Sequence, residues 1–450
     1  MRRERAGQSL LTGGTPRSRP GGNAVQVLHR ICCGLDVHKK LVVACLRVQG
    51  ADGRASREVR RFEAMTDALA ELRGWLVGAG CTLAVMESTG PYWKPLYNLL
   101  EEREGLAVWV VNARHVKAVP GRKTDQNDAC WLAELGAHGL VRPSFVPDRA
   151  QRELRELVRY RQSLLRERAA EVNRLQKVLE GANIKLASVL SDVTGVSARA
   201  MLAELVAGST DAAALAALAV GQLRAKRAEL ERALSGVVGA HQRFVLAEQL
   251  GHIDELDARV ARLDAEVAAR LAAPDAATGE RPFEDAVRRL DTIPGVGRRT
   301  AEAVVAEVGV AMDRFPSARH LASWAGMCPG QHESAGKRRS GKTRPGSPFL
   351  RAALAEAAWA ASRTRTETAL RAQYRRLAAR RGKKRAIVAV GHAILVCAYH
   401  MLRDGRDYAD PGPDRADRRG TEARQRRLVR GLERLGLKVT IEPLTQTEAA

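Results

Sequence analysis

Cysteine is scarce and scattered in this 450-residue chain: Cys32, Cys33, Cys45, Cys81, Cys130, Cys328 and Cys397, with no CxxC pair. That spacing argues against a thiolate zinc site and against a disulfide framework. Several of the seven stand in apolar stretches, which predicts buried small hydrophobes in a reducing cytosol. Long apolar runs are also missing, so no membrane span is expected. The N-terminal stretch MRRERAGQSLLTGGTPRSRPGG is rich in Arg but has no apolar core, so it reads as a disordered basic tail and not as a secretory signal. Acidic residues are in short supply: 51 Asp and Glu face 74 Lys and Arg, for a formal net charge of +23 and a pI near 10.4. A GC-rich genome explains Arg in place of Lys but not this surplus, which predicts a polyanionic partner, nucleic acid first.

What is present is a core-forming composition, 45% hydrophobic, in a chain long enough for two or three domains. ICCGLD, LVVACLRV and SREVRRFEA follow one another closely as strands, with VHKK and QGADGRA as turns. TDALAELRGWLVGAG carries helical spacing through Leu69, Leu72 and Leu76. Strand CTLAVMES, a helix PYWKPLYNLLEER with Pro91 at its start, strand LAVWVVN and helix TDQNDACWLAELGAHG complete the order βββαβαβα. That order is the ribonuclease H-like one, and it predicts an α/β domain over residues 28–148 behind a basic tail over 1–27.

Residues 149–273 are helical and charged. Leu246, Leu250, Ile253, Leu256, Val260, Leu263, Val267 and Leu271 form one apolar stripe; Leu154, Leu157, Leu164, Leu165, Val172, Leu175 and Leu179 form another, broken by Arg161 and Arg168. The pattern fits an extended coiled-coil arm and equally an ordinary helical bundle. APDAATGERPF reads as a linker, residues 283–402 as a compact helical domain, and 403–450 as a charged tail with a short helix near Leu428–Leu435.

Asp36 ends an apolar strand, where a carboxylate needs a reason. Glu87 ends the strand CTLAVMES, and Asp125 and Asp128 stand three apart at the start of a helix, on one face. In a ribonuclease H-like sheet these elements converge. Four carboxylates at one edge are tolerable only with cations between them, and hard divalent ions, Mg²⁺ or Mn²⁺, suit oxygen ligands. Such ions can stabilise the entering and leaving oxygens of a phosphoryl transfer. Plain capping by Asp125, with Asp128 at N3, is a competing and compatible account.

LDTIPGVGRRTAEAVVAEVG fits a helix-hairpin-helix, with Gly295 and Gly297 opening a tight turn toward a phosphate and Arg298 and Arg299 beside it; a turn that merely packs two helices fits as well. GKRRSGKT, Gly336 to Thr343, matches the P-loop expression, but no apolar strand precedes it and Arg344, Pro345 and Gly346 follow where a helix should begin. A flexible basic loop against nucleic-acid phosphates, using Lys337, Arg338, Arg339, Lys342 and Arg344, is the better reading. Ser334, Ser340 and Ser347 in or beside it are candidate nucleophiles.

LDVHKK, MESTGPYW, GRKTDQNDA, IPGVG, LASWAGMCPGQHESAGK and RPGSPFLRAAL, in this order over about Ile31 to Leu402, resemble the DEDD transposases of the insertion sequence 110 family, the bridge-RNA-guided serine recombinases. The resemblance implies a RuvC-like N-terminal domain, a coiled-coil arm and a C-terminal transposase domain. It implies catalytic, metal-binding roles for Asp36, Glu87, Asp125 and Asp128, with Mg²⁺ or Mn²⁺, and a nucleophile at Ser334. It further implies donor and target DNA, an element-encoded non-coding guide RNA, a dimer to tetramer that shares its sites between protomers, and a bacterial cytoplasmic, nucleoid-associated setting. The alternatives are a RuvC-like junction resolvase or nuclease using the carboxylates alone, and a non-catalytic nucleic-acid-binding scaffold.

Overall fold

Strand-forming residues dominate the region after residue 30, and the computed structural model of the chain turns them into β1 (Ile31–Val37), β2 (Leu41–Gln49) and β3 (Ala55–Glu63). It describes residues 27–88, 90–113, 116, 128–274, 281–330, 332–334, 336–343, 345–414, 425–426 and 428–440. Helix α1 (Thr66–Gly78), β4 (Leu83–Glu87), α2 (Trp93–Glu101), β5 (Ala107–Val111) and α3 (Asp128–Ala137) follow, in the βββαβαβα order that the sequence predicts. Helix α2 begins at Trp93, two residues after the Pro91 expected at its start. The chain divides into two compact units, Met1–Val146 and Pro147–Ala450.

In the first unit the strands lie in the order β3-β2-β1-β4-β5. β1 pairs antiparallel with β2 and parallel with β4, and β4 pairs parallel with β5. β1 and β4 are buried on both faces, which is why they read as near-continuous apolar runs. β3 is an edge strand whose charged, exposed residues Arg57, Glu58, Arg60 and Arg61 discourage further strand addition. Leu69, Leu72 and Leu76 of α1 and Leu96 and Leu100 of α2 cover one face with Cys33, Leu35, Ala84 and Met86. α3 covers the other, where Leu132, Ala133 and Leu135 meet Cys32, Cys45, Leu83 and Val85. Cys32, Cys33, Cys45 and Cys81 are buried as expected, and burial pushes the Cys32 thiol up to about 11 and Cys81 to about 12.

Gly34 sets the depth of α3. A Cβ at this position would stand 1.9 Å from the Ala129 carbonyl oxygen and 2.4 Å from the Ala133 nitrogen, so only glycine lets the helix backbone lie this close. Cys32 Sγ donates to the Ala133 carbonyl at 3.2 Å. The rotation of α3 is then fixed by an ionic cluster. Arg47, only 4% exposed on β2, donates Nε–H to Glu134 at 3.0 Å, and Arg57 on β3 reaches the same oxygen at 2.9 Å. His138 Nε2 lies 3.0 Å from the other Glu134 oxygen. Burial pushes the Glu134 carboxyl up, but the hydrogen bonds from Arg57 and Arg47 outweigh it and hold the group below its ordinary value of 4.5.

In the second unit, α4 (Arg149–Gly181) and α9 (Ala240–Ala272), each of 33 residues, pack antiparallel. Between them come α5 (Leu186–Val189), α6 (Val196–Ala207), α7 (Ala212–Ala217) and α8 (Arg227–Leu234). The two breaks in the apolar stripe of α4 are ionic seams: buried Arg161 donates to Asp264 and pairs with Glu302, both at 2.7 Å, and Arg168 grips Asp257 with two nitrogens. One end of the pair joins a core with Leu202, Leu215 and Leu230; the other joins a larger core, and a small apolar middle is formed by buried Leu164, Leu256 and Val260 with half-buried Leu165 and Leu263.

The larger core belongs to α10 (Pro282–Asp291), α11 (Arg298–Val308), α12 (Ala318–Trp324), α13 (Pro348–Ser362), α14 (Ala369–Arg381) and α15 (Lys383–Asp404). A hairpin of β6 (His332–Ser334) and β7 (Lys337–Ser340) precedes α13. Within the 22 residues of α15 an 18-residue window has a mean hydropathy of 1.6, enough by length and composition alone to cross a membrane. Half of that stretch is buried, with Ile387, Val390, Ile394 and Leu395 in the core, so it is the central helix of this lobe. Residues 428–433 of the tail are helical, within the short helix anticipated there.

Two outcomes follow from the seating of α3. Gly34→Val should lower unfolding stability in denaturant titration by about 3 kcal/mol or more, since overpacking typically costs about 1–3 kcal/mol and the clash here is with backbone. Glu134→Ala should cost roughly 3–5 kcal/mol, because it leaves buried Arg47 unpaired. The depressed Glu134 carboxyl binds fewer protons folded than unfolded, so its stabilisation holds above about pH 4.5 and is lost as pH falls below that value. Acid unfolding of Glu134→Gln should therefore be flatter than wild type in this window.

Candidate active site

Parallel pairing of β1 with β4 places Leu35 opposite Met86, so the next positions along the two strands carry Asp36 and Glu87. Strand alternation puts both on the face that α3 covers, beyond Gly34 and Val85. The contacts of Cys32 with Ala133 and of Gly34 with Ala129 run α3 antiparallel to β1, with its N-terminus toward the Asp36 end. Asp128 is the first residue of α3 and is exposed. Three of the four predicted carboxylates therefore stand at one edge of the sheet; Asp125 lies outside the described residues. Asp36 Oδ2 is 3.0 Å from His38 Nε2, so the histidine of LDVHKK steadies this carboxylate.

Carboxylate oxygens at relaxed strand ends are donors that a hard divalent cation accepts. Among the described residues, no three His, Cys, Asp or Glu side chains come together as a group that could hold a metal ion. The edge gathers the donor type, and Asp36, Glu87 and Asp128 are the described residues able to contribute it.

The second candidate centre lies in the other unit. Ser334 is the last residue of β6, paired across the hairpin with Lys337. Gly336, at φ 72° in the turn, takes the left-handed conformation that glycine favours, and a Cβ added there would meet nothing within 4 Å. The expected flexible loop is thus a two-stranded ribbon, closed by this glycine turn, with Arg338 opposite Glu333 and Ser340 opposite His332. A register shift leaves Arg339 at a bulge. Lys337 and Lys342 are exposed, and Arg344 lies outside the described residues. The ribbon also disposes of the P-loop match, because Lys337–Ser340 is a strand and the next helix begins only at Pro348. Ser347 has a local role: its Oγ accepts from the Leu350 N–H at 3.3 Å and caps α13.

The GVG turn departs from a free phosphate cradle. Gly295, at φ 86°, is pressed onto α13, where a Cβ would stand 2.3 Å from the Ala361 nitrogen. Gly297, by contrast, opens on free space at the N-terminus of α11. Arg298 is engaged by Glu284 through two 2.9 Å hydrogen bonds and by Glu302, and Arg299 by Asp264. Both arginines tie α11 to its neighbours. The Arg47–Glu134 cluster that orients α3 shows in the sequence only as an arginine inside the otherwise apolar strand LVVACLRVQ.

Two transposase family models and several curated transposases match the chain. A DEDD transposase domain of the IS110 group, described as "Transposase", matches residues 33–184, and "Transposase IS116/IS110/IS902 family" matches residues 287–375. A probable family 20 transposase of Pseudomonas aeruginosa is 26% identical over 73% of this chain and 83% of its own length. The transposase for insertion sequence element IS1111A of Coxiella burnetii is 26% identical over 80% of this chain and 86% of its own. A pilin gene-inverting protein of Moraxella bovis is 31% identical over 26% of this chain and 37% of its own. With its acidic sheet edge in the first matched region and its serine hairpin in the second, the chain belongs to the IS110 family of transposases, enzymes that cut and rejoin DNA.

Proposed function

We propose that this transposase excises and inserts its own element by RNA-guided strand exchange, with Ser334 as nucleophile and Asp36, Glu87, Asp125 and Asp128 as the acidic site. The observation that supports the reading is that the strand register puts Asp36 and Glu87 at neighbouring strand ends, with α3 beginning at Asp128. In this reading residues 28–148 are a RuvC-like domain, 149–273 a coiled-coil arm, and 283–402 a transposase domain in which Gly295, Gly297, Arg298 and Arg299 form a helix-hairpin-helix. Lys337, Arg338, Arg339, Lys342 and Arg344 contact phosphates. An element-encoded RNA pairs with donor and target DNA, and the protein acts as a dimer to tetramer.

The four carboxylates would hold Mg²⁺ or Mn²⁺, which when bound supplies charge stabilisation for the entering and departing oxygens. Ser334 Oγ forms a bond to phosphorus while one bridging P–O bond of the DNA backbone breaks. The serine proton is released, the departing oxygen takes up a proton, and nothing is oxidised or reduced. A free DNA hydroxyl then attacks the phosphoserine and returns the serine. Lys337 and its basic neighbours stabilise the charge that builds on the phosphoryl oxygens.

Wild-type protein with guide RNA and target DNA should give a protein–DNA adduct that survives denaturing electrophoresis, with the nucleotide placed on Ser334 by mass spectrometry. Ser334→Ala should lose adduct and recombination together, while Ser340→Ala and Ser347→Ala keep both in part. Recombination at the wild-type rate by Ser334→Ala would hand the reaction to the carboxylates alone, as in a junction resolvase. Asp36→Asn, or excess chelator, should lower strand exchange by roughly a thousandfold with the fold intact by circular dichroism. Full activity in chelator would remove the metal from the proposal.

A further inference from the structure

From Thr368 to Arg403 the chain contains no Asp or Glu, although this stretch holds α14, all of α15 but its last residue, Asp404, and nine Lys or Arg residues. Elsewhere in this unit many cations are satisfied internally, as Arg159, Arg161, Arg168, Arg298 and Arg299 are. At the junction of α14 and α15 they are not. Arg371 and Arg375 share Glu367, and Arg403 pairs with Asp404. Arg376, Arg380, Arg381, Lys383, Lys384 and Arg385 have no carboxylate partner among the described residues. The last five are exposed and crowd around Gly382, the single residue between the two helices.

Helix electrostatics explains only part of this. Arg380 and Arg381 lie in the last turn of α14, where cations complement the macrodipole. Lys383, Lys384 and Arg385 occupy the first turn of α15, where the dipole is positive, no acidic residue offsets them, and each is unfavourable. Mutual repulsion adds to that. Neither α-helix formation nor packing needs three cations there, which leaves their charge turned outward for a polyanion outside the chain. Arg376 also lines a groove of about 1260 Å³ beside Arg319, His392 and His400. The one carboxylate lining it, Asp407, faces Arg289 at 3.8 Å. The positive field therefore continues from the corner along α14.

We infer that the α14–α15 corner is a second nucleic-acid interface, separate from the serine hairpin and the GVG turn, which takes a phosphodiester backbone through Arg376, Arg380, Arg381, Lys383, Lys384 and Arg385. It reads charge and not sequence, since backbone contacts position a nucleic acid without discriminating bases. A DNA duplex and a structured RNA present the same phosphodiester chemistry, and the test separates them.

The full-length Ser334→Ala chain, which keeps this measurement independent of the serine chemistry, is titrated by fluorescence anisotropy with a mixed-sequence DNA duplex and with a stem-loop RNA over a range of NaCl. Three triple variants are compared with it: Lys383→Gln/Lys384→Gln/Arg385→Gln, Arg376→Gln/Arg380→Gln/Arg381→Gln, and a control of equal charge on the far lobe, Lys177→Gln/Arg224→Gln/Arg232→Gln. Each phosphate contact contributes about 0.9 to the slope of log affinity against log salt on duplex DNA. Each corner triple should flatten the slope by about 2–3 for the nucleic acid that occupies the corner, and the control by less than about 1. A change with duplex alone assigns the corner to DNA, and one with the stem-loop alone assigns it to RNA. Unchanged slopes with both probes in variants that melt like the parent, or a control that falls as far as the corner triples, would overturn the inference.

Discussion

The close seating of α3 on the sheet governs where the acidic edge can be. A helix normally stands off a sheet by the thickness of its side chains; here Gly34 removes that thickness at one point, and the helix backbone settles onto β1. Depth alone would leave the helix free to roll. The Arg47–Glu134–Arg57 cluster prevents this, since a buried guanidinium tolerates no loss of its carboxylate. Depth and rotation together determine where the N-terminus of α3 meets the ends of β1 and β4, and hence whether Asp128 can share an edge with Asp36 and Glu87.

Much of this was readable beforehand. The near-continuous apolar runs of β1 and β2 and the leucine spacing of α1 and α9 follow from burial, so the order βββαβαβα and the long amphipathic helices could be written from the sequence. Asp36 and Glu87 were legible for the same reason, as carboxylates closing apolar strands. Partner choice was less legible. Arg161 and Arg168 look like interruptions of a stripe until Asp264, Glu302 and Asp257 are seen across from them. Arg298 and Arg299 look free beside a glycine turn, yet Arg298 answers to Glu284 and Glu302 and Arg299 to Asp264 on another helix. The basic run around Ser334 folds into a ribbon because Gly336 permits a turn, a choice of backbone that composition does not announce.

Charge in this transposase is distributed with a division of labour. The net surplus of +23 sets a general attraction to nucleic acid. Within it, one group of arginines is neutralised by paired acids and shapes the protein. Another remains uncompensated and is available to a partner. Counting basic residues cannot separate the groups; only the position of the acids can.

The thin middle of the α4–α9 pair has a consequence for how the molecule comes apart. Two sizeable cores sit at the ends of the pair, and among the described residues the middle holds a small cluster of buried Leu164, Leu256 and Val260 with half-buried Leu165 and Leu263, flanked by ion pairs. Apolar contact is what makes melting cooperative, and charge pairs transmit it poorly along a helix. The far lobe built on α6 to α8 therefore constitutes its own cooperative unit, able to open and close while the other core stays folded, so the exchange of its amide hydrogens follows a clock of its own.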